Sequence, residues 1–501
     1  MSFFLHSEKS ANVISKKDYK ERVPDLRIQL LELQENLKRA DFPVIVLISG
    51  VDGAGKGELV NRLNEWMDPR FLQTFAFGPK TDEELERPEF WRFWRSLPTK
   101  GSIGLYVGSW YSDPIALRLK GYISRKEWLH QLGRVGRFEK LLTDDNALII
   151  KFWLHLGKQD QIERMEKLSS DPVTAWQVTD FEREHLRVYD RFRELSGETL
   201  EHTDLKSAGW QVVYGKDANY REITIAEEIC QRIQQRLGRG WKQLDDDKEE
   251  VEQEVTVDAP SLKQLDMTIT LDKSQYRQQL AIQQSRLNSL SREAWRRGIS
   301  TVMALEGWDA AGKGGIIRRI VPAMDARNVR VLPVAAPNSQ ERLHHYLWRF
   351  WKFIPRAGNT TIFDRTWYGR VLVERIEGFA REDEWQRAYK EIRDFENQLV
   401  EHGIVLMKYW LHITKDEQLA RFKLREKTPH KQFKLTEEDY RNRERWDEYE
   451  TAVEDMVART HQPDSPWLLI EGNDKRHARV KALTSYCERL EAAIESNIIN
   501  L

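Results

Sequence analysis

Cysteine is almost missing from this chain: two occur in 501 residues, too few for a disulfide framework or a four-thiolate zinc site. An excess of either charge is missing as well, with 79 Lys and Arg against 80 Asp and Glu and a net charge of −1. The global positive field of a nucleic-acid or anionic-membrane binder is thereby excluded, so any polyanion must be met by locally clustered charge. No apolar run approaches the roughly 18 residues of a membrane span. The opening residues, MSFFLHSEKSANVISKK, carry no apolar core followed by a small-residue cleavage site, and a cytoplasmic location is expected. The 12 histidines show no H-E-x-x-H or clustered ligand spacing, and no G-x-S-x-G elbow occurs, which argues against a zinc enzyme and a serine hydrolase. What is plentiful suits a soluble protein with real cores: 40% hydrophobic residues, 18 tryptophans and 32% charged residues.

The chain is written twice. GVDGAGKGELVNRL from Gly50 returns as GWDAAGKGGIIRRI from Gly307, an offset of 257 residues. The same offset relates WRFW at Trp91 and Trp348, SWY at Ser109 to TWY at Thr366, KFWLHL at Lys151 to KYWLHI at Lys408, Trp210 to Trp467, and Cys230 to Cys487. Length alone predicts about three domains; the register replaces that with two homologous ones, residues 1–243 and 262–501, joined by an acidic linker at 244–261. The period is too long for a solenoid.

Each copy alternates strand and helix. In the second, STVMAL ending at Leu305, VRVLPV from Val329, TTIF from Thr360, IVLMKYWL from Ile404 and PWLLI from Pro466 read as strands, and Gly314 to Met324 as a helix. Charged helices are expected at Asp18 to Ala40 and Ser274 to Arg297. The pattern predicts an α/β fold, a doubly wound parallel sheet in each copy, with a helical lid formed by a long polar helix from Thr436 to about Arg459 and the basic segment before it.

Gly307, Gly312 and Lys313 fit G-x-x-x-x-G-K, and Gly50, Gly55 and Lys56 fit it again. Glycines let successive amides turn toward a phosphate chain, the next helix presents its positive end, and the lysine reaches the transferred phosphate. Where a nucleotide-hydrolysing loop has Ser or Thr as a magnesium ligand, this chain has Gly57 and Gly314. Asp309 inside the loop is the candidate replacement, with Asp364 at the end of the TTIF strand as the second carboxylate. The first copy has Val107 in place of Asp364, Gly108 in place of Arg365 and Asp113 in place of Arg370. Arg421 to Arg445 contains nine Lys and Arg against five acids, whereas Arg164 to Val188 contains four against five. A phosphate clamp in the second copy only is the expectation. Trp308, Trp367 and Tyr368 lie near these motifs and fit either base stacking or the core.

GWDAAGKGG, FDRTWYGRVLVERIEGF, LMKYWLHI and KQFKLTEEDYRNRERWDEY together resemble the polyphosphate kinase 2 family, and the tandem layout with a degenerate first copy is similar to its two-domain members. The resemblance implies a P-loop kinase-like fold in which the terminal phosphoryl group of inorganic polyphosphate passes to a nucleotide, with magnesium (manganese as the alternative) bound at Asp309 and Asp364. It implies catalytic roles for Asp309, Lys313, Asp364 and Arg365. It also implies phosphate or nucleotide binding by Gly307, Gly312, Gly314, Arg370, Glu374, Arg375 and Lys408, and by the lid residues Arg421, Arg425, Lys431 and Lys434. The tandem arrangement points to AMP as acceptor. Gly369, where many single-domain members have Asn, speaks against carrying over a nucleoside-diphosphate preference. The alternatives are an ATP-dependent nucleoside monophosphate kinase, a polyphosphate-dependent kinase acting on nucleoside diphosphates, and a non-catalytic sensor. No nucleic-acid or membrane partner is expected, and no homo-oligomer is predicted.

Overall fold

A computed structural model describes residue 4 and residues 13–178, 180–239, 258–429 and 437–499. The chain divides into two compact units. The first comprises Met1–Lys80, Phe93–Glu250 and Ser339–His345; the second comprises Thr81–Arg92, Val251–Asn338 and Tyr346–Leu501. Two short segments therefore depart from the sequential division expected above. Within the second unit Arg356 Nη2 donates to Glu86 at 2.9 Å, and within the first the Lys100 amide donates to the Leu343 carbonyl at 3.0 Å. Most of the expected linker at 244–261 lies outside the described residues.

In the first unit, helix α1 (Lys16–Leu37) starts on Ser15, whose hydroxyl accepts the Asp18 amide. Strand β1 (Val44–Gly50) leads into α2 (Lys56–Trp66). Strands β2 (Leu72–Ala76) and β3 (Ile103–Val107) follow, then α3 (Arg125–Asp144), β4 (Leu148–His155), β5 (Trp210–Tyr214) and α4 (Ala218–Arg239). The strand order is β2-β3-β1-β4-β5, every pair parallel. Strand β1 reads VIVLISG because helices cover both faces, as parallel sheets require. Val44, Val46, Leu47 and Ile48 are fully buried, each stabilising the fold by about 1.5–3 kcal/mol relative to exposure.

The second unit repeats the plan. It runs α5 (Lys273–Arg296), β6 (Thr301–Gly307), α6 (Lys313–Ile320), β7 (Val329–Pro333), β8 (Thr360–Asp364), α7 (Glu382–Glu401), β9 (Val405–His412), α8 (Lys415–Glu426), α9 (Glu437–Glu444), α10 (Trp446–Thr460), β10 (Trp467–Glu471) and α11 (Lys475–Ile499). The sheet order is β7-β8-β6-β9-β10, again all parallel. Two expectations are corrected. Helix α6 stops at Ile320 and a 3₁₀ turn, Val321–Ala323, takes over, because Pro322 offers no amide to continue the helical hydrogen-bond ladder. The long polar helix is two helices, α9 and α10, broken at Arg445.

Candidate active site

The loop joining β6 to α6 lies at the carboxyl end of the central strand, where open α/β sheets bind ligands. Gly307 has φ +151°, and a Cβ there would lie 2.6 Å from the Leu411 carbonyl of β9, so only glycine lets the loop leave the sheet this way. Lys313, the first residue of α6, folds back over the loop and donates to the Gly307 carbonyl at 2.6 Å. A Cβ at Gly314 would meet nothing within 4 Å, so the missing hydroxyl there is not forced by space.

Asp364 closes β8, in register with Leu305 of β6, which sets it beside the loop. Its half-buried carboxylate has no hydrogen-bond or ion-pair partner among the described residues. The next residue, Arg365, has φ +66°, a left-handed conformation that costs a non-glycine residue on the order of 1 kcal/mol. Its guanidinium reaches Asp309 Oδ1 at 3.3 Å, and Asn442 of α9 donates to Asp309 Oδ2 at 3.1 Å. Asp309, Arg365 and Lys313 are thus gathered at two adjacent strand ends, and Asp364 is the last residue of one of those strands. The sequence reading missed Asn442; the difference at this position, where the first copy has His185, was its only signal. It also missed Glu306, buried near the end of β6, whose Oε1 accepts both the amide (2.7 Å) and the hydroxyl (2.8 Å) of Thr366. Burial pushes the Glu306 carboxyl up, while Lys313, Thr366 and Arg365 pull it back.

Several expected ligands have other roles. Lys408 is fully buried on β9, donating to Glu396 at 2.8 Å and to the Thr460 carbonyl at 2.5 Å. Burial depresses its ammonium and Glu396 opposes the shift. The first unit holds the same pair, Lys151 with Glu139 at 2.8 Å, although it lacks Asp364 and Arg365, so Lys408 is a core residue and cannot meet a phosphate. Arg421 is buried too. Its guanidinium donates to the carbonyls of Ala310 (2.9 Å), Ala311 (2.7 Å), Gly472 (2.6 Å) and Asn473 (2.9 Å) and to Glu417 (2.6 Å), which ties the loop to the end of β10 and leaves no donor for a lid contact. In the first unit the equivalent carbonyls of Ala54 (3.2 Å) and Gly215 (3.0 Å) are bridged instead by Arg221 of α4. Arg164, the counterpart of Arg421, pairs there with Glu58 at 2.6 Å.

Arg375 is engaged by Asp455 (2.7 Å) and the Tyr389 hydroxyl (3.0 Å) and lies over the Trp385 ring, bracing α7 and α10 rather than facing the loop. Arg370 pairs with Glu374 at 3.2 Å and stacks over Tyr346 at 4.5 Å. Arg425 is half-buried one turn beyond Arg421 on α8, while Lys431 and Lys434 lie outside the described residues. Of the other lid cations, Arg441 reaches Glu377 at 3.3 Å and Arg445 reaches Glu448 at 2.5 Å. The aromatic question resolves toward packing. Trp308 stacks on Trp446 (3.7 Å between centroids, 8° between planes) and donates to His412 Nδ1, while Trp367 and Tyr368 are buried and donate to Glu396.

A sequence model of the polyphosphate kinase 2 family matches residues 13–239 and 270–497. The chain belongs to this family. Among its relatives, the polyphosphate:AMP phosphotransferase of Pseudomonas aeruginosa is 46% identical over 503 residues, covering 98% of this chain and 100% of that one. The polyphosphate:AMP phosphotransferase of Acinetobacter johnsonii is 37% identical over 459 residues, 90% of this chain and 91% of that one. A crystal structure described as a candidate polyphosphate kinase 2 from Pseudomonas aeruginosa PA01 matches with a TM-score of 0.86 and 45% identity over 97% of this chain and 98% of that one. Both copies are thus family domains, and the losses at Val107 and Gly108 fall inside the first.

Proposed function

We propose that this chain is a polyphosphate:AMP phosphotransferase, moving the terminal phosphoryl group of inorganic polyphosphate to AMP and giving ADP, with the chemistry in its second unit. The observation that carries this reading is the convergence of Asp309, Lys313, Asp364 and Arg365 at the carboxyl ends of β6 and β8, in a family whose full-length relatives bear that name.

Phosphoryl transfer asks a protein mainly to align donor and acceptor and to neutralise charge. The amides of the loop and the start of α6 cradle a phosphate. Lys313, now on the Gly307 carbonyl, turns its ammonium onto the migrating group, and Arg365 neutralises that group from the β8 side. The acceptor is an already ionised phosphate, so no general base is required, and Asp309 orients rather than deprotonates. Two carboxylates, one of them without a protein partner among the described residues, form a hard-oxygen donor set that fits magnesium. Asp309 and Asp364 would hold the ion, which would supply positive charge at the transferred phosphate. The polymer itself is assigned to the exposed cations Lys423 and Lys427 and to the basic stretch that follows them. A cytoplasmic location suits the two free, buried cysteines, Cys230 and Cys487.

The test is to incubate purified protein with magnesium, AMP and polyphosphate in the absence of ATP. ADP is the expected product. A requirement for ATP would point instead to a nucleoside monophosphate kinase, and ATP formed from ADP without any ADP formed from AMP would point to a diphosphate acceptor.

A further inference from the structure

Glu306 is a carboxylate in a place that disfavours one. It sits on the central strand, 6% exposed, and its Oε1 is engaged by the Thr366 amide at 2.7 Å and the Thr366 hydroxyl at 2.8 Å. An ionisable side chain this deep has a desolvation cost that only a specific partner offsets. Its partner directly follows Arg365, the residue held at φ +66°.

The first unit shows what the same turn needs without an arginine. Gly108 stands for Arg365 with φ +72°, a conformation glycine adopts freely. Ser109 stands for Thr366, and its amide is met locally by the Ser112 hydroxyl at 3.1 Å. Gly369 occupies the place of Ser112 in the second unit and offers no side chain, so the Thr366 amide turns to Glu306 across the sheet. Ser49 occupies the place of Glu306. The strand ends in a left-handed residue in both units, but only where that residue carries a guanidinium in a disfavoured conformation is the turn tied to β6 by a buried carboxylate.

We propose that Glu306 is a positioning residue: by clamping Thr366 it holds the Arg365 guanidinium at Asp309, where it meets the transferred phosphoryl group. This rests on the charge-neutralising role given to Arg365 above. The clamp works through hydrogen-bond acceptance by Oε1, so an amide oxygen can replace it and a serine cannot.

The experiment is a double-mutant cycle on the full-length protein with polyphosphate and AMP, reading kcat and the KM of each substrate. Glu306→Ser is expected to lower kcat by roughly 10- to 100-fold with both KM values within about threefold, the signature of a displaced catalytic group. Glu306→Gln is expected to stay within about threefold of wild type. In the Arg365→Gly background, Glu306→Ser is expected to change kcat by less than about twofold, since nothing remains to be positioned. Wild-type kcat in Glu306→Ser beside a crippled Arg365→Gly overturns the clamp alone. Full activity of Arg365→Gly overturns the role of Arg365 and the clamp with it. If Glu306→Ser fails to fold, Glu306→Asp, whose arm is one methylene shorter, enters the same cycle and is read against the same outcomes.

Discussion

Arg365 and Ala310 hold left-handed backbone, at φ +66° and +62°, where the first unit has Gly108 and Gly53. At both positions the first unit carries glycine, which adopts this backbone freely, whereas the second holds side chains there at an energetic cost beside the proposed site. Arg365→Gly is therefore expected to abolish most ADP formation while raising stability by about 1 kcal/mol, a Tm gain of roughly 2–4 °C. A scanning calorimetry trace that falls instead would remove strain from the account. Asn442 touches the other oxygen of Asp309, and Asn442→Ala is expected to slow turnover by roughly 10-fold with the melting temperature nearly unchanged. Loop spacing singled out Asp309 and Lys313, the contrast between copies singled out Asp364 and Arg365, and the fold sets these two pairs at neighbouring strand ends. Lys408 was misread because a lysine in a strand motif shared with the family has the right charge for phosphate. Its carboxylate partner lies 12 residues earlier, on α7. The signal was available all the same, since Lys151 and Glu139 repeat the pair 257 residues upstream in a copy without Asp364 or Arg365.

At the scale of elements, strand β9 carries two buried basic groups with different consequences. Lys408→Met leaves Glu396 buried with its cation gone, and a loss of about 3–5 kcal/mol in urea unfolding is expected, with KM unchanged in whatever remains folded. A phosphate ligand would give the reverse pattern. His412 accepts from Trp308 through Nδ1, and burial pushes it down to about 4. Because its folded pKa lies below its ordinary value near 6.5, the unfolded chain binds the extra proton as pH falls. Its stabilising contribution is complete above pH 6.5 and is lost progressively between about pH 6.5 and 4, by roughly 3 kcal/mol. His412→Asn is expected to flatten the stability profile measured across that interval. The strands and the parallel order were readable from apolar runs bounded by glycine and polar turns. The break at Arg445 was not, because charge composition carries no helical phase. The exchange of bracing arginines was not either: Arg421 from α8 and Arg221 from α4 reach the same carbonyls from different helices, a choice that only the packed structure reveals.

At the scale of the whole molecule, a net charge of −1 conceals two copies with different charge in their lid segments. The first keeps its loop, and Lys56 donates to the Gly50 and Val51 carbonyls as Lys313 does to those of Gly307 and Trp308, but it also pairs with Asp52 at 3.3 Å, with no strand-end carboxylate or arginine opposite. In the second, the corresponding aspartate is turned toward Arg365 and Asn442. The central claim is that phosphoryl transfer belongs to the second copy, and it is tested most directly by comparing ADP formation from polyphosphate and AMP in Lys313→Ala and Lys56→Ala. Turnover is expected to be abolished in Lys313→Ala and largely retained in Lys56→Ala, with any effect there falling on stability or affinity. Equal loss of kcat in two folded variants would contradict it.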